Sequence, residues 1–323
     1  MRLGVDFQSC LIAGYADVSD RTDCARDLQR ACALPKCTHD TRRSEMYEAY
    51  WGLSESPFSN RLSTRWFHES PVHEEALARL FFVIEQRRQF GLLSGEPGTG
   101  KSLTLRAVCE QCRRSQRQIV SLNLLGIDAH ELLWQLAIEL RLSPSENESR
   151  WSLWRRITDR ITSLELSRTQ TVFVLDHLER ADTTCHSLIE RLLGVTGESN
   201  GLATYIASVR TRDLPRLSDF LGDISDLRVE LMPLQLDETE AMVRDLLTRA
   251  GGEADVFNHD ALLRLQTHSR GYPRLINRLC ELSLIAGMAG NNETIDGELV
   301  DSVATGLVRP TEIRGELRTP EYV

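Results

Sequence analysis

The segment Gly95–Ser102 constrains this chain more than any other feature, because it spells the phosphate-binding pattern GxxxxGK[ST]. An apolar run predicted to form a strand precedes it, and a stretch with helical periodicity follows it. A chance match in a Gly-rich turn is the alternative, and the strand–turn–helix context disfavours it. The motif predicts that ATP is bound by these residues: Gly95, Glu96, Pro97, Gly98, Thr99, Gly100, Lys101 and Ser102.

The residue types in this motif suit a bound magnesium nucleotide. Glycines allow backbone N–H groups to turn toward the phosphates. Lys101 is predicted to bring its charge to the β- and γ-phosphates, and Ser102 to offer its hydroxyl to Mg²⁺, which prefers oxygen ligands. A second metal ligand should end another core strand, and Asp176 follows the apolar run Thr171–Leu175. Helix capping is the alternative for Asp176, and its pairing with the phosphate motif favours the metal role.

Five short apolar segments alternate with helical or loop segments, which predicts an α/β fold with a parallel sheet flanked by helices. Strands buried on both faces read as continuous apolar runs. After Pro233 the strand signals stop and helical periodicity takes over, with Asp237 and Glu240 as the expected cap pair of the first helix. The predicted strands are Phe90–Ser94, Ile119–Leu122, Val172–Leu175, Thr204–Ser208 and Leu227–Leu231.

These patterns divide the chain into four predicted regions. Residues 1–45 lack clear periodicity, and we expect a disordered extension or an over-extended gene start, with Met46 as the biological start. Residues 46–233 are predicted to form the α/β nucleotide-binding domain and 234–307 a small helical domain. Residues 308–323, which carry two prolines, are predicted to be a loose tail.

Composition excludes some classes of protein. A net charge of -9 argues against a protein that coats nucleic acid, although a local basic patch remains compatible with it. No apolar run approaches the ~18 residues of a membrane span, and no secretory signal is visible, so a cytoplasmic location is expected. Cys109 and Cys112 form a CxxC, but they share a helical apolar stripe with Leu105 and Val108, which predicts core residues rather than a redox pair.

Together these passages resemble a known family. Residues 46–307 are similar to AAA+ ATPases of the general secretion pathway protein A (ExeA-type) family, relatives of transposition-helper ATPases. The resemblance lies in the two nucleotide motifs, in the stretches 46–58 and Ser70–Leu77, and most specifically in Gly271–Cys280. It implies that the helical domain forms a lid over the nucleotide and that Arg274, in the G-x-P-R pattern, reaches the γ-phosphate as a second sensor.

The chain also departs from that family. His177 stands where the family usually carries the Glu that orients the attacking water, and Glu179 is expected to point elsewhere. Ser208, at the end of the fourth strand, is the expected first sensor. The arginine that acts on a neighbouring subunit is not evident, with Arg228 and Arg216 as candidates. Without these groups the chain would bind ATP and turn it over slowly.

Three functions follow from these features. The first is an ATPase that couples binding and hydrolysis of Mg-ATP to assembly or remodelling of a partner complex, with secretion as one process. The second is a non-hydrolysing, ATP-dependent switch. The third is a DNA-associated, transposition-type helper, which the acidic balance does not favour. A homo-oligomer and an unidentified protein partner are expected, and in secretion that partner would supply the membrane anchor.

Overall fold

The computed structural model describes residues 46–60, 63–197, 202–221 and 225–307. The predictions for residues 1–45 and 308–323 therefore lie outside the described residues. Among the described residues, no helix is both long enough and apolar enough to cross a membrane.

A five-stranded, all-parallel sheet confirms the predicted α/β class. The strands are β1 (Phe90–Gly95), β2 (Gln118–Asn123), β3 (Thr171–Asp176), β4 (Ala203–Arg210) and β5 (Leu227–Leu231). Their order in the sheet is β2-β3-β4-β1-β5, so β1, which leads into the phosphate motif, has a neighbour on each side. Parallel pairing brings the carboxyl ends of these strands to one edge, where ligands bind in open α/β sheets.

Helices cover the sheet and follow its last strand. Residues 46–50 are also helical, and short 3₁₀ turns occur at Thr64–Trp66, Leu178–Arg180 and Thr211–Leu217. The other α-helices of the described residues are α1 (Pro71–Glu85), α2 (Lys101–Arg114), α3 (Ala129–Glu139), α4 (Arg150–Leu166), α5 (Thr183–Gly197), α6 (Ser218–Leu221), α7 (Leu236–Arg249), α8 (His259–Ser269), α9 (Pro273–Ala289) and α10 (Gly297–Gly306).

Two features of these helices differ from the sequence-based expectation. Helix α5 was not predicted, because Thr183, Thr184 and Gly194 have weak helix propensity; burial of its apolar face overrides it. The expected cap pair of α7 is wrong: Gln235 N donates to Glu238 Oε2 at 2.8 Å, so the helix begins two residues earlier.

Separate apolar clusters cover the two faces of the sheet. One cluster joins α1 and α2 to the inner residues of β1, β3 and β5, and the other holds α3, α4 and α5. Cys109 and Cys112 are free thiols buried in the first cluster, as predicted, and burial raises the pKa of both thiols. These helix layers hold the sheet from both faces, and the phosphate motif follows the carboxyl end of its strand β1.

A third cluster contains α7 to α10 together with residues 47–58. Tyr47 and Phe58 are almost fully buried in it, and Trp51 Nε1 donates to Leu284 O at 2.9 Å. The segment 46–60 was predicted to belong to the α/β domain, but its apolar side chains pack among the helices. The predicted boundary at residue 233 stays a prediction, and this packing adds a second chain segment to the helical side.

Candidate phosphate-binding site

The loop between β1 and α2 has a backbone shape that requires glycine. Gly98 and Gly100 adopt φ values of 96° and 103°, which side-chain-bearing residues rarely adopt. A Cβ on Gly100 would lie 2.7 Å from His73 Nε2. Thr99 is fully buried, and its hydroxyl donates to Glu96 O at 2.9 Å. The loop is thus a tight cradle that opens onto the N-terminus of α2, where backbone N–H groups attract anions.

Lys101 is held within this cradle. Its Nζ donates to Gly95 O at 2.7 Å and to Glu96 O at 2.9 Å, and the residue is 8% exposed. Burial lowers its pKa to about 8, although the nearby carboxylates of Glu179 and Asp176 favour the charged form. An anion in the cradle would gain this amine as a close partner.

Ser102 and Asp176 line one cavity of about 450 Å³ at the sheet edge. A hydroxyl and a carboxylate suit Mg²⁺, which takes few protein ligands and completes its shell with phosphate and water. Among the described residues, no group of three or more His, Cys, Asp or Glu side chains could hold a metal by itself. The residues therefore fit a magnesium ion that arrives with a phosphate.

Ser208 holds the Asp176 carboxylate. Its hydroxyl donates to Asp176 Oδ1, and His177 N donates to Ser208 Oγ at 3.0 Å and to Asp176 Oδ1 at 3.1 Å. Ser208 is fully buried, so it lies behind Asp176 and its one hydroxyl proton is already used. The first-sensor role of Ser208 stays a prediction, and the observed contacts are those of a residue that orients the carboxylate.

His177 begins a short turn after β3 with φ 63° and ψ 45°, an unusual left-handed conformation for a residue with a side chain. Its Nδ1 lies 3.7 Å from Glu179 Oε1, and its Nε2 lies 3.8 Å from Asp176 Oδ2. Glu179 raises the pKa of the imidazole against the opposing effect of burial. The expectation that Glu179 points elsewhere is therefore wrong, because its carboxylate lies directly beside His177.

Arg210 is a site residue that the sequence analysis did not find. It ends β4, and the strand register pairs it with Gly95, the first residue of the phosphate motif. Its Nε lies 3.0 Å from Glu179 Oε1. The sequence carried a partial signal, because Arg210 lies only two residues after Ser208, the predicted end of this strand. Only the strand register places Arg210 beside the loop.

The first turn of α9 covers the loop from the helical side. Arg274 N donates to Gly98 O at 3.2 Å, and the Arg274 side chain is exposed toward a cavity of about 140 Å³. Lys101, His177 and Arg210 line the same cavity. The structure thus brings together the predicted loop, His177 and Arg274.

Gly271 fixes the position of that turn. It has φ 74°, its carbonyl accepts from Leu234 N at 2.8 Å, and a Cβ on it would lie 2.0 Å from Leu234 O. The backbone of the segment after β5 therefore packs directly against the start of α9. This contact explains why glycine stands before the Tyr272–Arg274 stretch.

The buried His73 side chain contacts the backbone of the glycine loop. Its Nε2 lies 3.1 Å from Thr99 O and its Nδ1 lies 2.8 Å from Ser70 Oγ. Burial lowers the pKa of His73, which favours the neutral ring. Because a carbonyl oxygen can only accept, the neutral ring that fits both contacts donates from Nε2–H to Thr99 O and accepts at Nδ1 from the Ser70 hydroxyl. His73 was singled out only as part of a sequence resemblance, and the structure gives it a physical contact with the loop.

The two candidate arginines for a neighbouring subunit lie away from this cavity. The Arg216 side chain is 81% exposed, with Nη1 3.9 Å from Asp213 Oδ1. Arg228 is exposed on β5, which is an edge strand of the sheet.

Comparisons with known proteins agree with this geometry. Residues 73–205 match the family described as AAA ATPase domain. General secretion pathway protein A of Aeromonas hydrophila is 28% identical over 259 residues, which are 79% of this chain and 47% of that protein. The chain thus spans about half the length of this curated relative. The resemblance to general secretion pathway protein A that the motifs predict is confirmed.

Solved structures share the fold. Cdc6p from Pyrobaculum aerophilum superimposes with a TM-score of 0.61 at 19% identity, covering 81% of this chain and 74% of that one. Drosophila ORC bound to DNA gives 0.58 at 17%, with 93% and 72% covered. The Aeropyrum pernix ORC1 protein in complex with DNA gives 0.56 at 17%, with 78% and 68% covered. At these identities the likeness concerns the fold, which is that of P-loop AAA+ proteins.

Proposed function

We propose that the chain binds Mg-ATP in the cradle between β1 and α2, because residues 73–205 match the AAA ATPase domain family and the fold is that of P-loop AAA+ proteins. The proposal includes hydrolysis of ATP to ADP and phosphate, coupled to assembly or remodelling of a partner complex. One observation carries it: Lys101, Arg210 and Arg274, from three separate elements, line one cavity above the glycine loop. Such a concentration of cations suits a polyphosphate.

The proposed role of each residue follows from its contacts. Lys101 would neutralise the β- and γ-phosphates, and Ser102 and Asp176 would hold the magnesium ion, which would supply further charge neutralisation. Ser208 keeps the Asp176 carboxylate oriented. Arg274 closes the cavity from the helical side, so the angle between α9 and the sheet would respond to the γ-phosphate.

Hydrolysis requires a group that orients the attacking water. A water-orienting carboxylate is replaced by His177, whose neutral imidazole accepts a proton at one nitrogen. Its raised pKa means that more of it is protonated, and so unable to act as a base, than in an ordinary histidine at the same pH. A chain that binds ATP and holds it as an assembly switch is therefore the second candidate, favoured by this one substitution.

Steady-state ATP hydrolysis and ATP affinity of the full chain test the two candidates. The variants are Lys101→Ala, which removes the phosphate cation, and His177→Glu, which restores the family carboxylate. Turnover by the wild type that Lys101→Ala abolishes supports the ATPase. Tight binding without turnover, together with turnover gained by His177→Glu, supports the switch. Absence of ATP binding by the wild type at millimolar ATP contradicts both.

The partner belongs to the same proposal. The similarity to general secretion pathway protein A makes secretion the first process to examine, with a homo-oligomer and a membrane-anchored protein as the expected partners. Size-exclusion chromatography with light scattering, with and without Mg-ATP, tests the oligomer, and an unchanged monomer at micromolar protein contradicts it. Cytoplasmic location also remains a proposal.

A DNA-associated helper is the alternative from another class. Two of the similar solved structures are described as bound to DNA, but the likeness to this chain extends only to the fold. Retention on duplex DNA at several salt concentrations decides this alternative. DNA binding that weakens steeply with salt would support it, because release of counterions from phosphates drives such binding. The net charge of -9 predicts weak retention.

A further inference from the structure

Glu179 is a buried acid with an incomplete set of partners. Its side chain is 2% exposed, and in the described part of the chain neither carboxylate oxygen receives a hydrogen bond of good geometry. Its contacts are ionic instead: Arg210 Nε lies at 3.0 Å and His177 Nδ1 at 3.7 Å. A carboxylate is costly to bury, so an arrangement of this kind requires a compensating cation. Arg210 is that cation.

Arg210 also faces the cavity above the glycine loop. It lines the cavity together with Lys101 and Arg274, and its side chain is 17% exposed. An arginine presents five N–H donors in a fixed plane. Pairing with Glu179 through Nε leaves the four Nη hydrogens of the same plane for a second anion.

The position of Arg210 indicates which phosphate it would meet. Its strand register places it beside Gly95, and its partner Glu179 lies against His177, which follows Asp176. Arg210 is therefore on the Asp176 side of the loop, where Ser102 and Asp176 would hold the magnesium ion of a bound nucleotide. Ser208, the other polar residue at this strand end, donates its hydrogen bond to Asp176 Oδ1 and so has no second hydroxyl proton to offer to a phosphate.

We propose that Arg210 binds the terminal phosphate of ATP, aimed by the buried Glu179 carboxylate, and so makes this chain distinguish ATP from ADP. This inference rests on the proposed nucleotide site and adds its specificity. Glu179 is a positioning residue: it contacts Arg210 and His177 and lies behind both. The buried carboxylate also offsets the repulsion between Arg210 and Lys101, which lets the cavity hold several cations before a polyphosphate binds.

Affinities of the full chain for Mg²⁺ with adenylyl imidodiphosphate and for Mg-ADP test this inference. The variants are Arg210→Ala, Arg210→Lys and Glu179→Gln. Arg212→Ala is the matched control, because Arg212 lies two residues beyond Arg210, the last residue of β4, and has a mostly exposed side chain with Nε 3.8 Å from Asp213 Oδ2. We expect Arg210→Ala to weaken the triphosphate analogue about 10- to 100-fold and ADP less than about threefold. Arg210→Lys should recover part of the loss, and Arg212→Ala should behave as wild type.

Glu179→Gln tests whether the Glu179 carboxylate orients Arg210, because this variant leaves the Arg210 charge in place. It keeps the size of the side chain but removes the ion pair, so the triphosphate analogue should bind with a loss smaller than that of Arg210→Ala, again with ADP little affected. Thermal melting of each variant identifies any that fails to fold, and Arg210→Lys then carries the test.

Several outcomes would overturn the inference. Equal loss of both nucleotides in Arg210→Ala would mean a general effect on the cavity, and no loss of either would mean that Arg210 does not contact phosphate. In both cases a wild type that binds both nucleotides leaves the proposed site intact. A wild type that binds neither nucleotide overturns the site and this inference together.

Discussion

The two walls of the phosphate cavity are built differently. On the sheet wall, Thr99 and Lys101 are buried and bonded to carbonyls within the same short loop. On the helical wall, Arg274 is exposed and meets the loop through one backbone contact, from its N–H to Gly98 O. The sheet wall is closed by local contacts, whereas the helical wall depends on contacts between segments far apart in sequence.

This difference separates binding from response. A loop whose shape is fixed by its own residues can present the same phosphate-binding surface whatever the helices do. A wall that meets the loop through one hydrogen bond can move relative to the loop without breaking the contacts that shape the loop. Nucleotide affinity should therefore reside mainly in the sheet wall, and the conformational response mainly in the helical wall.

The largest expected effect concerns the buried amine of the sheet wall. With a pKa near 8, about half of Lys101 is neutral at pH 8, roughly 100-fold more than for an ordinary lysine. Amine acylation followed by mass spectrometry should give a pH profile with a midpoint near 8, against about 10.4 in the urea-unfolded protein. A folded-state midpoint above 10 would mean that the loop does not bury this amine.

Gly271→Ala tests the helical wall. The new Cβ would collide with Leu234 O in a positive-φ position, so we expect roughly 3 kcal/mol of destabilisation and a displaced α9. ATP affinity should fall about tenfold, because Arg274 moves with the helix. Gly251→Ala is the control: φ is 88° there, but the nearest atom is 3.8 Å away, so it should cost only about 1 kcal/mol.

Thermal melting and nucleotide titration of the two variants measure these effects. Equal melting temperatures would show that the close approach of Leu234 and Gly271 does not position α9. Unchanged ATP affinity in a destabilised Gly271→Ala would show that the helical wall contributes nothing to binding, and would sharpen the comparison further.

The smallest expected effect concerns His73, beneath the loop. His73→Ala leaves Thr99 O without its donor, at about 1–2 kcal/mol, and should weaken ATP binding several-fold. His73→Gln can place an amide N–H near the same carbonyl and should restore most of the affinity. Titration calorimetry decides, and a His73→Ala protein with wild-type affinity would show that the loop keeps its shape unaided.

The sheet wall could be predicted from the sequence because its determinants are local. The glycine positions, Lys101 and Ser102 follow one another directly, and five apolar runs define the strands. Asp176 was found because strand ends of a parallel sheet converge. Arg210 was missed because its place beside Gly95 depends on strand register, which local patterns do not specify.

Tertiary packing also determines the two other positions that the sequence did not predict, those of Glu179 and of residues 47–58. Glu179 is drawn in beside His177 by the left-handed turn at His177 and by the ion pair with Arg210, and neither has a local signal. Residues 47–58 join the helical cluster although α1 and the sheet follow them in sequence. The roles assigned to His177, Ser208 and Arg274 stay predictions.

The packing of residues 47–58 has a mechanical consequence. Phe58 belongs to the helical cluster and Phe67 to a sheet cluster, while Leu231 belongs to the sheet and Leu234 to the helices. In the part of the chain that the structure describes, these two pairs place one backbone connection between the parts before the sheet and another after β5. A body tethered at a single point can swing in any direction, but one tethered at two points turns about the line that joins them. Any movement of the helices over the loop should therefore be a rotation about the line that joins the two connections. Arg274 would move along an arc around that line, toward or away from the loop.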